Sequence, residues 1–132
     1  MKVDIEKIKE WNSKLYNGFK VDVAMLKYYS TKEAHKVIQL ENGNKLEITL
    51  AYRECGLYKR QVELVLHLQL WNKSTLNEDM FISGDGYFET LKEPQDKKSF
   101  KDIIDLTKDY TDEVCLKLMQ EKLKDVKTPF SV

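Results

Sequence analysis

The sequence predicts an α+β domain: an antiparallel sheet of about four to five strands packed against N-terminal and C-terminal helices in a two-layer sandwich. Residues 45–53 and 61–71 alternate apolar with polar side chains, which is typical of strands that bury one face. Residues 3–17 and the C-terminal third repeat apolar side chains every three or four positions, as amphipathic helices do. Because the strands follow one another before the last helices begin, this order favours an antiparallel sheet over a parallel α/β fold.

Composition indicates one globular domain over residues 1–132 and narrows the classes of partner. The 22 basic and 22 acidic residues cancel, whereas nucleic-acid binding usually needs a basic excess to neutralise phosphates. The longest apolar-rich run, residues 62–71, is interrupted by Glu63, His67 and Gln69, so we expect no membrane span. With no signal peptide and two isolated cysteines, we expect a cytoplasmic protein with reduced thiols.

The first helix is expected over residues 3–17, and Gly18 can end it because glycine tolerates the left-handed conformation. A change to two-residue periodicity then predicts a strand over residues 19–29. Near the C-terminus, Ser99 and Thr111 are expected to cap two helices, the second ending near residue 127. The apolar residues on one side of the first helix are Ile5, Ile8, Trp11 and Leu15.

Two glycines predict two hairpins with three-residue loops, because such loops usually place a glycine at the left-handed position. Gly43 at that position sets Ile38 opposite Leu46, which pairs apolar with apolar. Gly56 at the same position sets Leu46 opposite Leu64. The second register also sets Glu47 opposite Glu63, a like-charge pair that costs up to about 1 kcal/mol.

After Trp71 the alternation ends. Residues 72–79 are mostly polar, and residues 83–86 read Ser-Gly-Asp-Gly, which is turn material. Residues 87–91 are expected to form a short edge strand, followed by a polar loop around Pro94.

No residue cluster has the spacing of a metal site, and we expect neither a metal nor a cofactor. His35 and His67 lack a histidine or cysteine at zinc-ligand spacing. Cys55 is expected at a hairpin tip without the walls of a pocket, and Cys115 on the apolar side of the last helix. Neither cysteine is therefore predicted to be a catalytic nucleophile.

Glu63 and His67 share the polar face of one predicted strand, which suggests a small enzyme or ligand-binding domain as an alternative. Side chains four positions apart on a strand are about 13 Å apart, however, so the two cannot touch directly. A nucleic-acid-binding domain is a second alternative, since aromatic residues occur in the sheet region where bases could stack.

The function we predict is a non-enzymatic protein-binding module, in the form of an inhibitor of a larger partner such as a phage or mobile-element anti-defence protein. Aromatic residues on the outer side of a sheet exceed what solubility requires, and they are common anchors of interfaces. Whether the helix carrying Trp11 covers that side is left open, as is a homodimer. The interface candidates are Val65, His67, Trp71, Tyr87 and Phe88.

Overall fold

The computed structural model describes residues 5–21, 33–73 and 81–122. Its strands form one antiparallel sheet in the order β1-β2-β3-β4-β5. The predicted α+β class, an antiparallel sheet packed against helices, is confirmed. In chain order the elements are α1 (Ile5–Lys14), β1 (Lys20–Val21), β2 (Glu33–Gln39), β3 (Lys45–Cys55), β4 (Gln61–Lys73), β5 (Phe81–Thr90), α2 (Phe100–Thr107) and α3 (Asp112–Lys122).

The core lies on one side of the sheet, which we call the inner face. The alternating apolar residues of β3 and β4 point to this face, and α2 and α3 add Ile103, Cys115 and Met119 to the same cluster. Helix α1 lies on this side too, because the ring of Trp11 is 5.3 Å from that of Phe100, which packs against the cluster. Trp11 therefore does not cover the opposite, outer face. The fully buried leucines and isoleucine of β3 and β4 are Leu46, Ile48, Leu50, Leu64, Leu66, Leu68 and Leu70.

The register of the first hairpin agrees with the prediction, and that of the second does not. Ile38 pairs with Leu46, and Gly43 has a φ of 79°. Leu46, however, pairs with Leu70 rather than with Leu64. The difference of six positions is even, so every side chain keeps its predicted face.

The loop of the second hairpin is longer than predicted: β3 continues to Cys55, β4 begins at Gln61, and residues 56–60 connect them. Cys55 pairs with Gln61, and the amide of Lys59 donates to the carbonyl oxygen of Gly56 at 3.2 Å. This register gives Leu66, Leu68 and Leu70 apolar partners on β3, and it replaces the expected Glu47–Glu63 opposition by Arg53 opposite Glu63.

The turn itself carries backbone strain. Gly56 has a φ of 80° and a ψ of −177°, a region that is essentially restricted to glycine. Tyr58 and Lys59 have φ values of 58° and 55°. The left-handed region costs a residue with a side chain about 1–2 kcal/mol. The added apolar pairs offset this cost.

Residues 83–86 are part of β5 and not a turn, which corrects the prediction. Gln69 pairs with Gly86 and Trp71 with Ser83, so two residues of β5 lie opposite Leu70 alone. This is a β-bulge, in which an extra residue bends one strand without ending it. A segment rich in glycine and aspartate can therefore continue a strand when the neighbouring strand, here β4, pairs with it on both sides of the bulge.

Lys36 joins the sheet to the helices from the inner face. Its side chain is 5% exposed, and its ammonium group lies 2.9 Å from a carboxylate oxygen of Asp112. It also donates to the carbonyl oxygens of Asn17 at 2.9 Å and Tyr110 at 2.7 Å. One lysine therefore fixes the loop after α1, the junction of α2 and α3, and the first turn of α3.

The helix ends differ in part from the predictions. The hydroxyl of Thr111 accepts from the amide of Val114 at 3.2 Å, which confirms the predicted cap of α3. Ser99 precedes α2 but makes no side-chain capping bond; its amide donates instead to the hydroxyl of Tyr52 at 3.0 Å. Residues 22–29 and 123–127, also predicted as regular structure, lie outside the described residues. Among the described helices, none is long and apolar enough to cross a membrane.

Candidate functional site

The outer face of the sheet carries a compact group of side chains from three strands, which we call the outer-face cluster. β3 contributes Arg53, β4 contributes Glu63, Val65 and His67, and β5 contributes Phe88. The alternation of each strand turns these residues away from the core. The pairing of Arg53 with Glu63 and of His67 with Phe88 brings them together.

Arg53 holds the cluster together. Its Nε donates to Oε1 of Glu63 at 2.8 Å, and its Nη2 contacts the same oxygen. Its guanidinium carbon also lies 4.4 Å from the ring centroid of Phe88, which is a cation–π contact. Because β4 lies between β3 and β5, the arginine side chain crosses β4 to reach that ring. Val65 lies on β4 beneath this crossing and is only 5% exposed.

Phe88 is the aromatic group that the cluster offers to solvent. It is 47% exposed, although one side of its ring meets Arg53 and the ring of His67 lies 6.3 Å away. A ring supported in this way loses little conformational freedom when a partner covers it, which lowers the cost of binding. Arginine and aromatic residues, including phenylalanine, are enriched at protein interfaces.

The structure brings together three of the five predicted interface residues. Val65, His67 and Phe88 lie in the outer-face cluster, with Val65 underneath. Trp71 lies on the same face, but four positions along β4 from His67, which corresponds to about 13 Å. Its indole nitrogen is buried and has no hydrogen-bond partner among the described residues.

Tyr87 points to the inner face, where it pairs beside Leu68 and packs against the core. Its hydroxyl donates to Oε2 of Glu89 at 2.7 Å. This hydrogen bond, with some burial, raises the pKa of Tyr87 to about 12. Tyr87 is therefore separate from the outer-face cluster.

Sequence reasoning did not identify Arg53 as a member of the site. In the predicted register Arg53 lay beside the loop, and Glu63 faced another acid. The opposite charges of Arg53 and Glu63 were a usable signal, because cross-strand pairs of opposite charge are favoured over like charges. Arg53 and Glu63 face each other only in the register with the five-residue loop, which the sequence analysis did not consider.

An acid–base pair of Glu63 and His67 finds little support in the geometry. Glu63 borders a depression of about 460 Å³ at the end of β5, but His67 is not among its lining residues. The Glu63 carboxylate is engaged by Arg53, and Val65 separates it from His67 along β4. The depression is lined by Glu63, Thr90, Leu91, Lys92, Glu93 and Pro94.

The two cysteines lie in different surroundings. Cys115 is fully buried, and its burial raises the pKa of its thiol to about 11, as expected of a core residue. Cys55 is partly exposed at the end of β3, opposite Gln61. Over residues 5–21, 33–73 and 81–122, no group of three or more histidine, cysteine or acidic side chains could hold a metal ion.

No protein-family model, no curated protein and no solved structure matches this chain. The fold defines it as a small antiparallel α+β domain. Its function is therefore inferred from the geometry and chemistry of its own described residues.

Proposed function

We propose that this chain is a protein-binding module and that its contact surface is centred on the outer-face cluster. The observation that carries the proposal is Phe88, half exposed and supported by Arg53 across an intervening strand. A cluster that only needed to be soluble would place flexible polar side chains here. An aromatic ring held in place by an arginine is suited to entering a pocket of a partner.

Two further features support a protein partner. Val37, on the outer face of β2, is 41% exposed, so the outer face presents a second exposed apolar side chain apart from the cluster. The Arg53–Glu63 pair is internally neutral, which suits an interface whose centre must lose water. Inhibition of a larger partner, such as an anti-defence role in a phage or mobile element, is the form of binding that we propose. It is tested by identifying the partner.

The test compares two variants with matched aromatic residues. Phe88 is 47% exposed and Tyr16 is 49% exposed, and each ring has a cationic side chain over it. Immobilised wild-type chain, Phe88→Ala and Tyr16→Ala are each used to capture proteins from the native cell, and the bound proteins are identified by mass spectrometry. Thermal melts confirm that both variants fold.

We expect a protein retained by the wild type and by Tyr16→Ala to be lost from Phe88→Ala. Truncation of a central aromatic anchor typically costs about 2 kcal/mol or more of binding, which is roughly thirtyfold in affinity. Equal retention by all three chains would contradict the proposed surface. The enzyme alternative at the depression beside Glu63 would then be the next to test.

A further inference from the structure

The turn between β3 and β4 exposes more apolar surface than the outer-face cluster. Leu57 and Tyr58 are each 79% exposed. They lie in residues 56–60, which we call the hairpin tip, and seven of the eight residues from 53 to 60 are exposed. The described part of β2 pairs with β3 only as far as Ala51, which lies opposite Glu33. The hairpin tip therefore extends past the described part of β2.

The backbone of the tip holds this pair of side chains outward. Tyr58 and Lys59 adopt left-handed φ values of 58° and 55°, which residues other than glycine, asparagine and aspartate seldom do. The guanidinium of Arg60 lies 5.5 Å from the ring centroid of Tyr58 and supports it. Strained backbone of this kind concentrates at functional sites, where the strain positions a group for its partner.

We propose that the hairpin tip is a second contact surface, which inserts Leu57 and Tyr58 into an apolar cleft with an acidic rim on a protein partner. The positive charges of the hairpin tip are the reason for proposing an acidic rim on the partner. Lys59 and Arg60 are exposed and positive, and residues 56–60 contain no acid. A positive edge around an apolar centre fits a negative edge around an apolar cleft, and such complementarity speeds and orients association.

A membrane surface fits these observations less well. Two apolar side chains bury little area in a bilayer, and stable attachment to a membrane needs larger amphipathic surfaces or lipid anchors. A protein cleft surrounds both side chains and also pairs the cations directly. The proposal does not depend on the outer-face cluster, because no residue of the tip belongs to that cluster.

The first experiment places a photo-crosslinking residue, p-benzoylphenylalanine, at position 58 and, as a control, at position 16, and irradiates each chain in the native cell. We expect an adduct from position 58 that is absent from position 16, with the crosslinked peptide of the partner rich in Asp or Glu. The combined change Lys59→Glu and Arg60→Glu should lower the adduct yield about tenfold, because it reverses the attraction. No adduct, an adduct with a second copy of this chain alone, or a yield unaffected by charge reversal would overturn the proposal.

The second experiment uses Tyr58→Asn, which removes the ring but keeps a residue that tolerates left-handed backbone. The denaturant midpoint should equal or exceed that of the wild type, while affinity for the crosslinked partner falls about thirtyfold. Phe88→Ala, measured in parallel, tests the outer-face cluster separately. Cosedimentation of the wild-type chain with phosphatidylcholine–phosphatidylserine vesicles, abolished by Tyr58→Asn, would instead assign the tip to a membrane and reject the protein cleft.

Discussion

The guanidinium of Arg53 lies 4.4 Å from the ring centroid of Phe88, with strand β4 between their two strands. The same side chain is bound to Glu63 on β4. The side chain of Arg53 thus links β3, β4 and β5 on the outer face and passes over Val65. The contact is possible only because Arg53 lies opposite Glu63, so it depends directly on the register of the second hairpin.

Removing Arg53 should lower the free energy of unfolding more than neutralising Glu63 does. The side chain of Glu63 is 11% exposed and that of Arg53 is 52% exposed. Arg53→Met leaves a nearly buried carboxylate without its partner and should cost about 2–3 kcal/mol. Glu63→Gln leaves an arginine that water can reach and should cost about 1 kcal/mol or less. Urea unfolding at neutral pH measures both losses of stability. Equal losses would contradict the description of Glu63 as the buried partner and Arg53 as the exposed one.

Lys36 should contribute more to stability than an ordinary surface lysine. Lys36→Met keeps the apolar part of the side chain but removes its bonds to Asp112 and to the carbonyl oxygens of Asn17 and Tyr110. We expect a loss of about 2–4 kcal/mol, because several polar groups near the core lose a charged donor. Lys20→Met, at an exposed position of β1, is the matched control and should change stability by less than about 0.5 kcal/mol. A similar small effect at both positions would contradict the proposed role of Lys36.

The two thiols should differ in reactivity. Cys115 is fully buried and Cys55 is partly exposed. Under native conditions, Ellman's reagent should label Cys55 and reach Cys115 only as the protein unfolds, because the reactive thiolate of Cys115 is both inaccessible and disfavoured by burial. The variant Cys55→Ser should therefore show almost no fast labelling. Fast labelling of that variant would place Cys115 outside the core.

Burial of Cys115 also predicts a pH dependence of stability. Burial, opposed in part by the nearby charge of Lys36, raises the pKa of this thiol from 9.0 to about 11. The unfolded chain therefore loses this proton at a lower pH than the folded chain, so the stabilisation is complete below about pH 9 and declines as pH rises towards 11. Tyr87 and Tyr110, whose pKa values are raised from 10.0 to about 12, add a further decline above pH 10. Measured by urea unfolding at a series of pH values between 9 and 10, the slope of the unfolding free energy against pH should be smaller for Cys115→Ala than for the wild type, and an unchanged slope would contradict the burial of this thiol.

Sequence patterns predicted which side chains face the core more reliably than which residues pair. Leu66 is fully buried on the inner face as its alternation predicted. Glu63 was expected on the polar face of its strand, opposite Glu47, but it is 8% exposed and bound to Arg53. Alternation reports only the parity of a position, and that parity is unchanged when a register shifts by an even number of residues. The alternation of apolar and polar residues is therefore equally compatible with a three-residue loop and with a five-residue loop. The number of apolar cross-strand pairs that each register forms decides between them.

Periodicity and turn chemistry within short segments were enough to predict the α+β class, the inner faces of β3 and β4, the first hairpin register and the burial of Cys115. The second register, the continuation of β5 through its bulge, and the assembly of the outer-face cluster emerged only in the folded chain. The physical reason is that these features depend on pairing across three strands. A local preference of the turn, worth about 1–2 kcal/mol, is outweighed there by the apolar contacts of the whole sheet.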